Sequence, residues 1–285
     1  MNEHAAPAPT QVETVPPHER IVQLEDVRVR FGTDADAFLA LDRTSLTVEA
    51  GDFVAMVGPS GCGKSTILKL VAGLLKPSEG EVFVAGREVG AQKVGIGMAF
   101  QNPTMLPWLS IRQNVMLPLK IVEPYASSFA AHKNTVFRDR VEALLEKVGL
   151  GGLGDRRPWQ LSGGMLQRAN LCRALIHEPR LLMLDEPFGA LDQFTREELW
   201  SILQDLWIEQ RPTVFLVTHD LREAAFLANR ILVMSSRPGR VTEDRQVDFA
   251  RPRTIETTYQ DGFTALTHAL RTLIVAGRPS RGALT

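Results

Sequence analysis

Gly58-Pro-Ser-Gly-Cys-Gly-Lys-Ser-Thr66 decides how the rest of the chain is read, because Gly58, Gly63, Lys64 and Ser65 stand at the spacing G-x-x-x-x-G-K-[ST] of a phosphate-binding loop. Glycines let a backbone curl around phosphate oxygens with its N–H groups aimed inward, and a helix beginning near Lys64 adds the positive end of its dipole. Lys64 is then the point charge for the β- and γ-phosphates, and Ser65 offers a hydroxyl to Mg²⁺. Pro59, Ser60, Gly61, Cys62 and Thr66 complete the cradle expected around a nucleoside triphosphate. The apolar run 53–57 before the loop reads as a buried strand and residues 67–73 after it as a helix, the setting such a loop requires.

A second stretch supplies the other half of phosphoryl chemistry. Leu181-Leu-Met-Leu-Asp-Glu-Pro187 is an apolar strand running into two adjacent carboxylates. Asp185 can hold Mg²⁺ or its water, and Glu186, pointing the other way, can polarise an attacking water as general base. Around these two anchors strands and helices alternate: residues 213–217 and 231–234 read as further strands, and Leu199, Ile202, Leu203 and Leu206 share one helix face behind a capping box of Thr195 and Glu198. Such alternation predicts a mostly parallel sheet with helices on its faces. Short β-type runs at 21–24, 27–31 and 44–48 predict an antiparallel flank, with further strands at 81–85 and 94–100.

From residue 102 onward the texture changes to helix and loop, with Val141, Leu144, Leu145 and Val148 on a helix that stops at Gly149. The expected organisation is a tail without fixed structure over residues 1–20, an α/β ATPase domain over 21–245 with a helical insertion at about 102–175, and a short extension over 246–285. The extension carries one amphipathic helix, with Phe263, Leu266, Leu270, Leu273 and Ile274 on one face, closed by Gly277 and Pro279. One phosphate loop means one nucleotide-binding half per chain.

Composition is that of an ordinary soluble domain, with 285 residues of which 44% are apolar and 23% charged. A net charge of −1 gives no field for nucleic acid, no apolar run reaches the ~18 residues of a membrane span, and the N-terminus has no signal-peptide pattern, so a cytoplasmic location is expected. Cys62 and Cys172 are too few for a disulfide framework and read as reduced thiols. Cys62 is open to two readings: beside Lys64 and a helix N-terminus it has the surroundings that favour thiolate, and otherwise it is a buried filler thiol.

Leu161-Ser-Gly-Gly-Met165 then narrows the reading. Ser162 can cap a helix, and the N–H groups of Gly163 and Gly164 can approach a γ-phosphate. With this stretch the chain resembles the ATP-binding cassette (ABC) ATPases over about residues 21–245. The resemblance implies a P-loop fold with a RecA-like α/β core, and it implies that Leu161 to Met165 face the nucleotide of a second subunit. Met165 departs from the commoner Gln, a change that leaves the Ser and Gly contacts in place. Gln101 matches the glutamine that senses Mg²⁺ and water, Asp192 in Gly189-Ala-Leu-Asp192 matches the residue that meets the partner's phosphate loop, and His219 matches the switch histidine at the γ-phosphate. Phe31 is the candidate for the aromatic that stacks on adenine, with Phe38 as the alternative.

Met105-Leu-Pro-Trp108, the Ser-Gly-Gly-Met signature and Ser235-Ser-Arg-Pro-Gly-Arg240 further resemble the nitrate/sulfonate/taurine importer group. That group implies an ATPase with Mg²⁺ as cofactor, working as a homodimer on two transmembrane permease subunits together with a solute-binding protein, peripheral to the cytoplasmic face of the inner membrane and with no nucleic acid partner. A soluble, non-transport cassette acting as a nucleotide-gated scaffold is the alternative, but the interval from Lys64 to Ser162 leaves no room for coiled-coil arms and the chain holds a single copy of each motif. A P-loop small-molecule kinase would leave Leu161 to Met165 and His219 without a role. Trp108 is open to two readings, a local core or a docking groove for a permease helix.

Overall fold

Strand β3 (Phe53–Val57) is buried at all five positions, and its side chains divide strictly by parity between two cores. Phe53, Ala55 and Val57 enter one, and Val54 and Met56 the other. The neighbouring strands β7 (Leu181–Asp185) and β8 (Thr213–Val217) split the same way: Leu182, Leu184, Val214 and Leu216 lie on the first face, Leu181, Met183, Phe215 and Val217 on the second. A continuous apolar run is what a parallel strand covered on both faces needs. The computed structural model describes residues 19–32, 37–89 and 95–277; residues 1–18 of the expected N-terminal tail, Val94 and Pro279 fall outside them, and Arg20, expected in the tail, instead begins the first strand of the second sheet.

These strands belong to a six-stranded sheet completed by β6 (Ile96–Phe100), β9 (Arg230–Met234) and β10 (Val241–Gln246), in the order β10-β9-β3-β8-β7-β6. All pairs are parallel except β10 with β9. The carboxyl ends of β3, β6, β7 and β8 therefore open on one edge, where the loops carrying Lys64, Gln101, Glu186 and His219 emerge.

The second sheet is the expected antiparallel flank, with β1 (Arg20–Phe31), β2 (Phe38–Glu49), β4 (Glu79–Val84) and the short β5 (Arg87–Glu88) in the order β2-β1-β4-β5. The runs 21–24 and 27–31 form one strand interrupted by a register shift between Leu24 and Val27, where Asp26 has a φ of 46°. This sheet and helix α1 (Lys64–Val71) enclose the second core, with Ile67, Leu68, Leu70 and Val71 on the buried face of α1.

The helical insertion is built from α2 (Ile111–Met116), α3 (Tyr125–His132), α4 (Val136–Lys147) and α5 (Gly163–Leu175). Ser110 and Gln113 form a reciprocal capping box at the start of α2. The fully buried Asn114 fixes the preceding loop: its amide donates to Leu106 O at 3.1 Å and to Ser110 O at 3.0 Å, and its side-chain oxygen accepts from Leu106 N at 2.7 Å. Met105 consequently packs against the core, while Trp108 is left 68% exposed. A local core for Trp108 is thereby ruled out.

Helix α6 (Gln193–Gln210) corrects the expected cap. Asp192 is its N-cap, accepting from Thr195 N at 3.0 Å, so Thr195 sits one turn inside. Glu198 is turned to an ion pair with Arg168 of α5, which removes it from any capping role. The short α7 (Leu221–Leu227) follows β8, and its C-terminal carbonyls are closed by Arg253: one guanidinium nitrogen donates to Ala225 O at 3.0 Å, Phe226 O at 2.9 Å and Ala228 O at 2.7 Å. Helix α8 (Asp261–Ala276) buries Phe263 and Leu270 in the first core. The C-terminal segment is thus packed into the ATPase body, and β10 runs one residue past the expected boundary at 245.

Candidate nucleotide site

The loop after β3 turns into α1 through Gly63, whose φ of 106° few L-residues adopt and whose missing Cβ would lie 2.5 Å from Leu41 Cδ2. Lys64, only 6% exposed, folds back into the loop and donates from Nζ to Gly58 O at 2.9 Å and Pro59 O at 3.0 Å. Its ammonium also stands 3.9 Å from Cys62 Sγ, and among the described residues no carboxylate forms an ion pair with it, which leaves its charge available to an anion drawn into the same curl.

Across the edge, Ser65 Oγ lies 3.4 Å from Asp185 Oδ1. Burial, and after it the adjacent Glu186 carboxylate, push the Asp185 carboxyl above its usual range. A carboxylate so disfavoured beside a hydroxyl is a hard-oxygen pair that a divalent cation would relieve, and it suits Mg²⁺, which takes one or two protein oxygens and completes its shell with phosphate and water. Among the described residues, no cluster of three or more His, Cys, Asp or Glu offers an all-protein metal cage.

Glu186 lies just past the end of β7 in a left-handed conformation, φ 46°, with its N–H donating to Val217 O at 2.8 Å. The turn swings its side chain towards His219, whose Nδ1 is 3.3 Å from Glu186 Oε2. Gln101 closes the group from the β6 side, its amide nitrogen 3.0 Å from where a Cβ on Gly189 would stand. Phosphate loop, Gln101, Asp185, Glu186 and His219 thus converge at one sheet edge.

The signature and Asp192 form a separate patch. Ser162 caps α5 by accepting from Met165 N at 3.3 Å, and Gly164 abuts Thr195, whose Cγ2 would be 2.6 Å from an added Cβ. Asp192, with its pKa lowered chiefly by the Thr195 backbone N–H, starts the helix alongside. The hydrogen bonds of Ser162 and Asp192 serve their own helices, and among the described residues none reaches the phosphate loop. Leu161 and Met165 pack against the core at its rim, Gly163 opens onto free space, and Phe194 beside Asp192 is 83% exposed.

The structure decides between the two readings of Cys62. Its thiol is 1% exposed, and burial raises its pKa although Lys64 Nζ stands 3.9 Å from its sulfur. Desolvation outweighs the ammonium, so Cys62 is a packed thiol and not a poised thiolate. Phe31 and Phe38 form one tilted pair, with ring centroids 5.4 Å apart, and Phe38 is the more open at 46% exposure.

Two supporting residues were not singled out from the sequence. On α5, Gln167 donates from its side-chain nitrogen to Phe100 O at 3.1 Å and also to Pro187 O, and Asn170 donates to Phe100 O at 3.2 Å. The signature helix therefore grips the ends of the strands that carry Gln101 and Glu186. The available signal was their i,i+3 spacing, which sets both amides on one face of the helix.

The ABC transporter family profile matches residues 41–189. The aliphatic sulfonates import ATP-binding protein of Bacillus licheniformis is 43% identical over 78% of this chain and 83% of its own length. The nitrate import ATP-binding protein of Synechococcus elongatus is 41% identical over 81% of this chain and 82% of its own. A solved dimeric ATP-binding cassette in a post-hydrolysis state with ADP and Pi superimposes with a TM-score of 0.69 at 31% identity, covering 80% of this chain and all of that one. On the motifs, their shared edge and these likenesses, the chain belongs to the ABC transporter family as an ATP-binding subunit of the importer type.

Proposed function

We propose that this chain is the energy-coupling ATPase of an importer for nitrate, sulfonate or taurine-like solutes, closing with a second copy around two Mg-ATP molecules and passing that motion to two permease subunits. The observation that carries the reading is the division of its functional residues. Lys64, Asp185, Glu186 and His219 share one edge, whereas Ser162 and Asp192 cap helices on a different patch, so each nucleotide is completed by the patch of a twofold-related partner.

Within one site the roles follow from the geometry. The loop from Gly58 to Thr66 and the Lys64 ammonium bind the phosphates, and Ser65 with Asp185, joined by Gln101, would hold Mg²⁺, which supplies charge neutralisation at the transferred phosphate. Glu186, whose backbone is tied to Val217, takes the proton of the attacking water at its carboxylate. His219 orients Glu186 and presents its ring to the γ-phosphate. The Phe31–Phe38 pair offers the base an aromatic face. The Ser162, Gly163 and Gly164 backbone of the partner caps the γ-phosphate from the far side.

Two further features support a transport role. No helix among the described residues is long and apolar enough to cross a membrane, and in this reading separate permease chains carry the solute. Trp108, exposed on a loop that Asn114 holds rigid just beyond Gln101, gives those chains an anchor beside the catalytic edge. Nitrate and aliphatic sulfonates, the cargo named for the two relatives, are both oxyanions, and a solute-binding protein on the far face of the membrane would select among them.

Reconstitution tests this reading. The chain is combined in proteoliposomes with a candidate permease pair and solute-binding protein, and uptake of labelled nitrate, taurine and an alkanesulfonate is followed. ATP-dependent uptake of one of them, absent with Glu186→Gln, is expected. ATP hydrolysis without uptake of any of the three would overturn the assignment of cargo.

A further inference from the structure

Ser235-Ser-Arg-Pro-Gly-Arg240, the loop between β9 and β10, touches the nucleotide edge at three points. Gly239 forms a backbone bridge to the strand that carries Phe38: its N–H donates to Ala40 O at 2.9 Å, and its carbonyl accepts from Asp42 N at 3.1 Å and Thr44 Oγ1 at 3.1 Å. The same glycine lies so close to the phosphate loop that a Cβ would stand 1.9 Å from Cys62 O, a contact no side chain could make. Arg240 and Arg28 both pair with Asp42, and Ser236 donates through N–H and Oγ to Gly277 O at the end of α8, at 3.4 Å and 2.5 Å. The loop is thereby pinned from three sides, and Arg237 projects from its middle.

Arg237 makes two contacts, and each is with an element expected around ATP. Its Nε donates to Gly61 O in the phosphate loop at 2.7 Å, and its guanidinium carbon lies 5.6 Å from the centroid of the Phe38 ring. The planar cation thus spans the distance between the aromatic pair and the phosphate cradle. Three properties suit that position: a fixed positive charge, a flat face that stacks on rings, and N–H groups left over once Gly61 is satisfied. Lysine could supply the charge and the spare donors but not the flat face.

We propose that Arg237 is a nucleotide-binding residue, forming with Phe38 a cation–aromatic wall against the base of a purine nucleoside triphosphate and fixing that wall to the phosphate loop through Gly61. The inference rests on ATP occupying the Gly58–Thr66 loop, and it adds a residue outside every motif that defines the site. It also gives the C-terminal helix a role, because α8 holds Ser236, the neighbour of Arg237.

The test measures dissociation constants of full-length protein for Mg-ATP and for inorganic tripolyphosphate by calorimetry, in wild type, Arg237→Ala, Arg237→Lys, Phe38→Leu and the Arg237→Ala/Phe38→Leu pair, with the melting temperature of each taken without ligand. Arg237→Ala is expected to weaken ATP about tenfold and tripolyphosphate less than about twofold, with an unchanged melting temperature. Phe38→Leu should show the same selective loss, the double variant should lose little beyond either single one, and Arg237→Lys should resemble Arg237→Ala. Unchanged ATP affinity in Arg237→Ala, or an equal loss for ATP and tripolyphosphate, would overturn the proposal. Lys64→Ala is the control for the site itself: wild-type affinity for both ligands in that variant would remove ATP from the loop, whatever Arg237 does.

Discussion

Nδ1 of His219 stands 3.3 Å from Oε2 of Glu186, and the peptide N–H of Glu186 donates to Val217 O at 2.8 Å, two residues before that histidine. The segment leaving β8 therefore holds the carboxylate twice, once through backbone and once through side chain. This matters because Glu186 has a φ of 46°, a conformation that a non-glycine residue keeps only where its surroundings impose it. The two residues form one device, in which the histidine loop decides where the carboxylate points.

Glu186→Gln retains shape and the backbone bond but cannot accept a proton from water. ATP binding should persist while turnover falls by about 10²–10⁴-fold, the range for a lost general base. His219→Ala should also depress turnover, and combining the two should cost little more than Glu186→Gln alone. Single-turnover hydrolysis read beside equilibrium ATP binding checks this; near-normal hydrolysis by Glu186→Gln would take Glu186 out of the base role.

Burial governs both thiols. Cys62 and Cys172 are 1% and 0% exposed, and desolvation raises the pKa of each. Maleimide at neutral pH should leave both unmodified in the folded protein and label both after denaturation. Mass spectrometry showing rapid labelling of Cys62 in the native state would mean that the loop opens enough to rehydrate the thiol.

Trp108 is the candidate anchor for the permease. Because it is 68% exposed and makes no part of the core, Trp108→Ala should leave the melting temperature and ATP affinity nearly intact and weaken association with the permease by at least about 2 kcal/mol. Co-purification with the permease, read beside thermal unfolding of the free subunit, separates the cases. Full assembly by the variant would exclude Trp108 from the interface.

Much of the fold was legible because parallel strands buried on both faces appear as unbroken apolar runs, and 53–57, 181–184 and 213–217 each became a central strand. The shared edge was legible for a related reason: Glu186 and His219, proposed for catalysis, follow β7 and β8 within two residues. What the sequence hid depends on which polar groups meet in space. Thr195 and Glu198 had capping-box spacing, but Asp192 three residues earlier is the better cap and Arg168 draws Glu198 away. The state of the Cys62 thiol stayed open because proximity to Lys64 is visible in sequence whereas burial is not. Arg237 meets Gly61 from 176 positions away in the chain, a contact no local pattern announces.

Glu223, fully buried on α7 behind the histidine loop, makes stability depend on pH. Burial, and secondarily the Asp220 carboxylate, push its pKa from 4.5 up to about 8, against smaller opposing effects of Thr218, Arg196 and Trp200. Since the folded value is the higher, the native state keeps a proton that the unfolded chain releases. The contribution is fully present below about pH 4.5 and is lost as pH rises through about 8. The melting temperature of wild type should therefore fall relative to that of Glu223→Gln as pH is raised across this window. Parallel curves for the two proteins would show that Glu223 does not titrate there.

The division of each nucleotide site between two copies is tested most directly by the assembly state of Glu186→Gln at saturating Mg-ATP, measured by sedimentation velocity on the full chain with and without a further Ser162→Arg substitution. Glu186→Gln should sediment as a monomer without nucleotide and as a dimer with Mg-ATP, and the added arginine, placed where the partner's γ-phosphate would sit, should return it to monomer while leaving ATP bound. A Glu186→Gln protein that binds Mg-ATP and stays monomeric, or a dimer indifferent to Ser162→Arg, would contradict the shared site.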